Sequence, residues 1–320
     1  MNLFLPIFLF AIGVILVVKG GDFFVDAASW IAERSGIPKI IIGATIVSLA
    51  TTLPELLVSV MAATEGKVDM SIGNAVGSVT ANIGLIMALA LVCMPGVIRR
   101  SDYLMKSILM VVAAALITVC GMTGAVSLPI SILLLLVFAI FMWDNIREVR
   151  KNTSASKSDN EGKNPVSKEV LITNILKFVV GAAGIVLGSQ LLVDNGSILA
   201  RVAGVPERVI GLTLIAVGTS LPELITTITA IVKKQSALSV GNILGANTID
   251  LTLIMPLSAL IAGQALPVSP ILAHIDLPVC LLFGLIAVVP TLIRSKFSRW
   301  QGIILLVLYA GYVVVTCTLA

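Results

Sequence analysis

Charge is what this sequence has least of. Only 12% of its 320 residues are Asp, Glu, Lys or Arg, while 58% are hydrophobic and the mean hydropathy is +1.09. Soluble domains carry about a quarter charged residues, and half that share cannot cover a water-exposed globule of this length. A soluble fold is therefore excluded. Histidine is nearly absent as well: His274 is the only one, and its place near the start of an apolar run reads as an interface position rather than a ligand. Cys93, Cys120, Cys280 and Cys317 lie in or at the ends of apolar runs with no paired spacing, which argues against a disulfide or metal framework. No Ser/His pair, His-rich metal motif or paired aspartate motif is present, so an intramembrane hydrolase is remote and no enzyme is expected. The net charge of +4 makes no case for nucleic acid.

What the chain does have is apolar length. Ten runs stand out, near 1–18, 40–63, 70–94, 104–122, 126–143, 170–193, 208–232, 238–262, 271–292 and 300–318. About 17–25 such residues span the roughly 30 Å of hydrocarbon in a bilayer, so the chain reads as an all-α polytopic membrane protein with ten transmembrane helices. The first run has no Lys or Arg before it and no convincing cleavage site after it, and reads as a span rather than a signal peptide.

Basic residues set the orientation. With an external N-terminus, only Lys67, Arg201 and Arg208 fall outside; 21 less three leaves 18 on the cytoplasmic side, Lys106 among them. That split follows the positive-inside rule and places both termini externally, in the cell (inner) membrane.

The chain is also duplicated. A shift of 168 aligns Thr51-Thr52-Leu53-Pro54-Glu55 with Thr219-Ser220-Leu221-Pro222-Glu223, and Gly73-Asn74 and Gly77 with Gly241-Asn242 and Gly245. Between 20 and 90, 25 of 71 positions are identical without a gap. Each repeat holds five spans, and an odd number forces the second copy to enter from the opposite side, giving two inverted five-helix repeats. That symmetry is common in secondary transporters, whose sites lie near the midplane between repeats. The expected organisation is a repeat over 1–143, a flexible cytoplasmic linker over 144–169, and a repeat over 170–320.

Carboxylates inside spans are costly and mark ion pathways by default, and no Lys or Arg stands near the centre of a span to neutralise these. Glu55 follows Thr51, Thr52 and Ser48 at helical spacing; Glu223 follows Thr219 and Ser220. Pro54 and Pro222 lack an N–H and crowd the carbonyls of Ala50 and Gly218, so the helix is expected to open there and free backbone oxygens. Asn74, Ser78 and Asn82 recur every fourth residue on the next span, matched by Asn242, Ala246 and Asp250. Asn74 and Asn242 read equally as ligands or as interhelical glue, and the glycines as packing residues. Asp26 and Asp194 repeat near span ends and read as capping or interfacial residues. An oxygen-only set without nitrogen or sulfur suits hard cations, Ca²⁺ or Na⁺, and disfavours zinc or copper.

At these residues the chain resembles the cation/calcium exchanger superfamily, in its prokaryotic sodium/calcium exchanger branch, with its two alpha repeats of the form G-T-S-L-P-E followed by G-N-x-x-G-S-N. The resemblance implies cation sites on spans 2, 3, 7 and 8. Glu55 and Glu223 would bind both ions; Thr51, Thr52, Ser78, Thr219 and Ser220 would give hydroxyls; Ser48 and Ala216 would give carbonyls; Asn82 and Asp250 would flank the central site. Spans 1 and 6 would slide across this core. Ala246 stands where the family often has serine, Ala50 replaces a glycine and Val79 an asparagine. Gly77 and Gly245 stand where proton-coupled relatives carry an acid. The expected function is antiport of Ca²⁺ against Na⁺ by alternating access, with those ions as substrates, the bilayer as surroundings, and neither a cofactor nor an obligatory protein partner. Proton or K⁺ coupling on the same fold, and remotely a cation channel, remain as alternatives.

Overall fold

The computed structural model describes residues 3–159, 167–204, 218–263 and 265–319. They form α1 (Phe4–Ser35), α2 (Lys39–Thr51), α3 (Leu53–Thr64), α4 (68–93), α5 (Arg100–Gly121), α6 (Leu128–Asp159), α7 (Lys168–Val202), α8 (Leu221–Val232), α9 (Ser236–Ala262), α10 (Leu272–Arg294) and α11 (Arg299–Leu319). Among the described residues eight helices are long and apolar enough to cross a membrane, and the broken pair α2 and α3 makes a ninth. The protein is a multi-pass helical membrane protein. Of the expected span 208–232, the first part lies outside the described residues and α8 is the rest.

Several boundaries differ from expectation. α1 and α7 run far beyond residues 18 and 193, and each is followed by a glycine with positive φ, Gly36 at 71° and Gly204 at 80°. A left-handed residue just past a helix end stops it at little cost only when it is glycine. α6 continues through Asp159, so residues 144–159 are helix rather than flexible linker. Neither Gly nor Pro interrupts them, and Arg, Glu and Lys are good helix formers. Lys106 lies inside α5 with 1% of its surface exposed, 3.8 Å from Asp144, and not in a loop. Its ammonium is kept in the interior by that carboxylate, since an unpaired buried charge is prohibitive.

The chain packs as two units, Met1–Thr51 with Asn145–Asn242 and Thr52–Asp144 with Ile243–Ala320. Each draws on both sequence repeats. In the first, α1 and α7 meet backbone to backbone: a Cβ on Gly20 would sit 2.9 Å from the Gly181 oxygen, and one on Gly188 2.9 Å from the Gly13 oxygen. Lipid offers no hydrophobic drive for association, so close van der Waals approach at small residues holds such pairs. Phe24, Val25, Ala28 and Ile185 extend the seam into a buried core with Ile42, Val47, Ala230 and Leu238.

In the second unit α5 packs on α10, and α11 on α4. Gly84 admits Phe283 and Tyr309, and Gly302 admits the Ala88 carbonyl. Four two-residue strands close the helix ends: β1 (Gly96–Val97) pairs antiparallel with β4 (Lys296–Phe297), and β2 (Ala125–Val126) with β3 (Leu266–Pro267). Each repeat thus lends one strand to each small sheet. The four cysteines are free, and His274 is exposed, its Nδ1 2.9 Å from the Pro270 oxygen.

Candidate cation-binding site

The two repeated motifs adopt the same backbone. α2 ends at Thr51, Thr52 takes φ −84° and ψ 0°, and α3 starts at Leu53 with Pro54 and Glu55 in its first turn. Ser220 takes φ −84° and ψ 6° before Leu221, Pro222 and Glu223 open α8. Proline lacks the N–H that an uninterrupted helix would use but fits a first turn without strain. The break is therefore dictated by sequence, and it puts each glutamate at the positive end of a helix, where the macrodipole favours negative charge. Both glutamates are fully buried.

Thr52-x-x-Glu55 and Ser220-x-x-Glu223 have capping-box spacing, yet neither hydroxyl caps its helix. The Ser220 hydroxyl is buried and meets no hydrogen-bond partner among the described residues. The Ser220 oxygen, withheld from the cap, is available to a ligand. One expected oxygen is not freed: the Gly218 carbonyl accepts from the Leu221 N–H at 3.3 Å, because a tighter turn closes where the proline cannot donate.

In the second unit Asn74 binds α4 to α3. Its Nδ2 donates to the Glu55 carbonyl at 3.1 Å and to Ser59 Oγ at 2.9 Å; Ser59 donates to the Ser71 carbonyl at 3.3 Å, and Ser71 to Ser258 at 2.8 Å. Asn74 is interhelical glue that fixes the backbone of Glu55. Ser78 and Asn82 follow on α4, and both Asn82 side-chain atoms are buried with no hydrogen bond among the described residues. Asn82 begins a π-helical turn, Asn82–Met87, and Asp250 begins another, Asp250–Ile254. The Asp250 turn packs against α3 and α4, so this unit gathers Glu55, Ser78, Asn82 and Asp250; Thr52 is buried at its edge.

In the first unit Thr51 Oγ1 donates to Asn242 Oδ1 at 3.2 Å and lies 3.4 Å from the Ser48 carbonyl. The segment Ser48–Thr51 packs on α8, bringing Ser48, Thr51, Ser220 and Glu223 into one neighbourhood, with Thr219 half-buried beside them. Gly43 and Gly241 allow α2 to touch the start of α9: a Cβ on Gly43 would lie 2.8 Å from the Asn242 nitrogen, and one on Gly241 would collide with Ile40. Gly241 is thus a packing glycine as expected, while a Cβ on Gly73 or Gly77 meets nothing within 4 Å among the described residues. Ala216 lies outside them.

Sequence reasoning missed the π-turns, which have no residue signature and are frequent at functional sites. It also missed the hydroxyl braces, Ser59 with Ser71 and Thr227 with Ser239 at 3.4 Å, although the shift of 168 pairs them. Asp26 is exposed, as an interfacial residue is expected to be, and it also pairs with Lys233 at 2.8 Å. No group of three or more His, Cys, Asp or Glu gathers among the described residues, so a cation held here depends on amide, hydroxyl and carbonyl oxygens as well as on carboxylates.

These features define a polytopic helical membrane protein whose duplicated helix breaks bury carboxylates among neutral oxygens. The family model of the sodium/calcium exchanger protein matches residues 5–146 and 173–318. The chain is 33% identical over 310 residues to a membrane protein of Methanocaldococcus jannaschii, with 94% of each covered. It is 28% identical over 343 residues to the sodium/calcium exchanger MaX1 of Methanosarcina acetivorans, covering 95% of this chain and 96% of that one. The solved structure of the sodium-calcium exchanger NCX_Mj superposes with a TM-score of 0.82 at 28% identity, covering 98% of this chain and 99% of that one. The chain belongs to the sodium/calcium exchanger protein family.

Proposed function

We propose that the protein is a secondary antiporter that exchanges Ca²⁺ for Na⁺ across the cell membrane by alternating access. The observation that carries this reading is the pair of proline breaks, each presenting a buried glutamate beside hydroxyls that do not cap. Glu55 and Glu223 serve both ions, with hydroxyls from Thr51, Thr52, Ser78, Thr219 and Ser220, carbonyls from Ser48 and Ala216, and Asn82 and Asp250 beside the central position. A divalent ion and several Na⁺ compete for the same negative charge, so one must leave before the other enters; coupling follows from that competition. No cofactor and no obligatory protein partner enters this scheme.

The ten spans form two inverted five-helix repeats. Supporting this are the matching boundaries of α3 and α8, both shifted by 168, and the reciprocal exchange of strands between the repeats. The excess of Lys and Arg on one side favours external termini. The test is ⁴⁵Ca²⁺ flux in proteoliposomes. Uptake driven by an outward Na⁺ gradient, and lost when choline replaces Na⁺ with or without a pH gradient, supports the reading. Uptake driven by a pH gradient alone, or uptake needing no counter-ion gradient, replaces it with proton coupling or with a channel; a requirement for K⁺ modifies the coupling.

A further inference from the structure

Five charged side chains meet at the C-terminal end of α8. Lys233, which ends that helix, donates to Asp26 at 2.8 Å and lies 3.2 Å from Asp22. Those two carboxylates stand one turn apart on α1. Gln235 accepts from Lys39 at 2.8 Å, and Lys39 pairs with Glu33 of α1 at 2.6 Å. The turn 233–235 is therefore gripped twice by α1 and the start of α2. Burial alone would lower the Lys233 pKa, but its hydrogen bonds to Asp26 and Asp22 outweigh that cost and raise it above the usual lysine value.

The repeat supplies an internal comparison. The shift of 168 places Glu65 at the position of Lys233, and Gln190 and Asp194 at those of Asp22 and Asp26. Glu65 pairs with Lys67 of its own turn at 2.7 Å. Among the described residues the clamp thus stands at one of two equivalent positions, and sequence symmetry does not explain it. The glycine seam fixes α1 to α7 along their length, so a clamp on α1 acts on both helices. α8 is 12 residues long, about 18 Å, with Glu223 in its first turn and Lys233 just past its last.

We propose that Lys233 is a positioning residue for ion exchange: its pairs with Asp22 and Asp26 fasten the α1–α7 pair to the helix that carries Glu223, and so hold back ion access on the membrane face bearing the turn 233–235. This rests on the exchange reading given above. Opening on that face by a shift of α1 against α8 separates three charges, whereas the equivalent Glu65 pairs, among the described residues, within its own turn. Partly exposed pairs are individually weak, and two carboxylates on one ammonium shift an equilibrium by about three- to tenfold.

The experiment is Na⁺/Ca²⁺ exchange in sided membrane vesicles, with the apparent KM for Ca²⁺ measured separately at each face for wild type, Lys233→Met, Lys233→Arg and the charge swap Lys233→Asp with Asp26→Lys. The expected result is a three- to tenfold change in the ratio of the two KM values in Lys233→Met, without loss of maximal rate, and a return to within about twofold of wild type in the arginine and swapped variants. Size-exclusion profiles check folding of each variant. An unchanged KM ratio in a folded Lys233→Met, or equal changes at both faces, overturns the clamp. A wild type that shows no Na⁺-dependent Ca²⁺ flux overturns the exchange reading instead.

Discussion

Gly241→Ala turns the packing argument into a number. In the first unit a Cβ at this position would lie 2.9 Å from both the carbonyl carbon and the Cα of Ile40, with the Ile40 oxygen closer still. Real Cβ atoms essentially never approach within 3.0 Å, and ordinary contact begins at 3.4 Å, so relieving the carbon contacts alone needs 3.4 − 2.9 = 0.5 Å and the nearer oxygen requires α2 and α9 to part further. Both partners at the clash are backbone, and no side chain can swing away. Overpacking of this kind costs about 1–3 kcal/mol. The displacement also reaches the candidate site, because Asn242 follows Gly241 and accepts from Thr51 on α2 at 3.2 Å. Oxygen ligands hold a metal within roughly 0.2 Å of ideal distance, and disturbing the residues that orient them lowers affinity by about 10- to 100-fold. Gly241→Ala should therefore lower the apparent Ca²⁺ affinity by that factor and lower the thermal midpoint, read by isothermal titration and by scanning fluorimetry in the same detergent. Gly284→Ala is the control, since its nearest neighbours, side-chain atoms of Val111 and Met110, lie at 3.7 and 4.0 Å and should leave both quantities near wild type. Wild-type affinity and stability in folded Gly241→Ala would refute the reasoning.

Two further outcomes follow from single contacts. Asn74→Ala removes the bonds to the Glu55 carbonyl and Ser59; at about 1 kcal/mol for each bond within a membrane, it should destabilise the protein by about 1–2 kcal/mol and weaken Ca²⁺ binding, both measurable by calcium-protected thermal melting. The Lys233 pairs should stabilise the fold fully from about pH 6 up to the ordinary lysine pKa of about 10.4 and fade as pH rises through the raised folded-state value, so the melting difference between wild type and Lys233→Met should stay constant from about pH 6 to 9 and shrink only above about 10.4.

Much of this molecule is legible in its residues because two strong physical signals coincide. Apolar length at bilayer scale gives the helices, and the shift of 168 marks the polar positions that matter twice. Pro54 and Pro222 announce the breaks, since a missing N–H acts through local geometry. The π-turns at Asn82 and Asp250 were invisible because an extra residue per turn leaves no pattern in side-chain type. The role of Asn74 was undecided in the sequence, as an amide serves equally as ligand and as brace; the distances from its nitrogen to the Glu55 carbonyl and Ser59 show the brace. Lys106 was misplaced because a span's edge is where charge counting says least, and it lies inside a longer helix with a partner in reach. The helical stretch 144–159 escaped notice because its polar composition resembles a linker, although no Gly or Pro interrupts it and its Arg, Glu and Lys favour a helix.

The central claim, that Glu55 and Glu223 carry the transported ions, is tested most directly by Na⁺-gradient-driven ⁴⁵Ca²⁺ uptake in vesicles holding Glu55→Gln or Glu223→Gln at wild-type protein levels. Each substitution keeps the side chain's shape and removes the charge that a divalent cation needs. The account predicts that uptake falls to background in both; robust Na⁺-dependent uptake by either variant would contradict it.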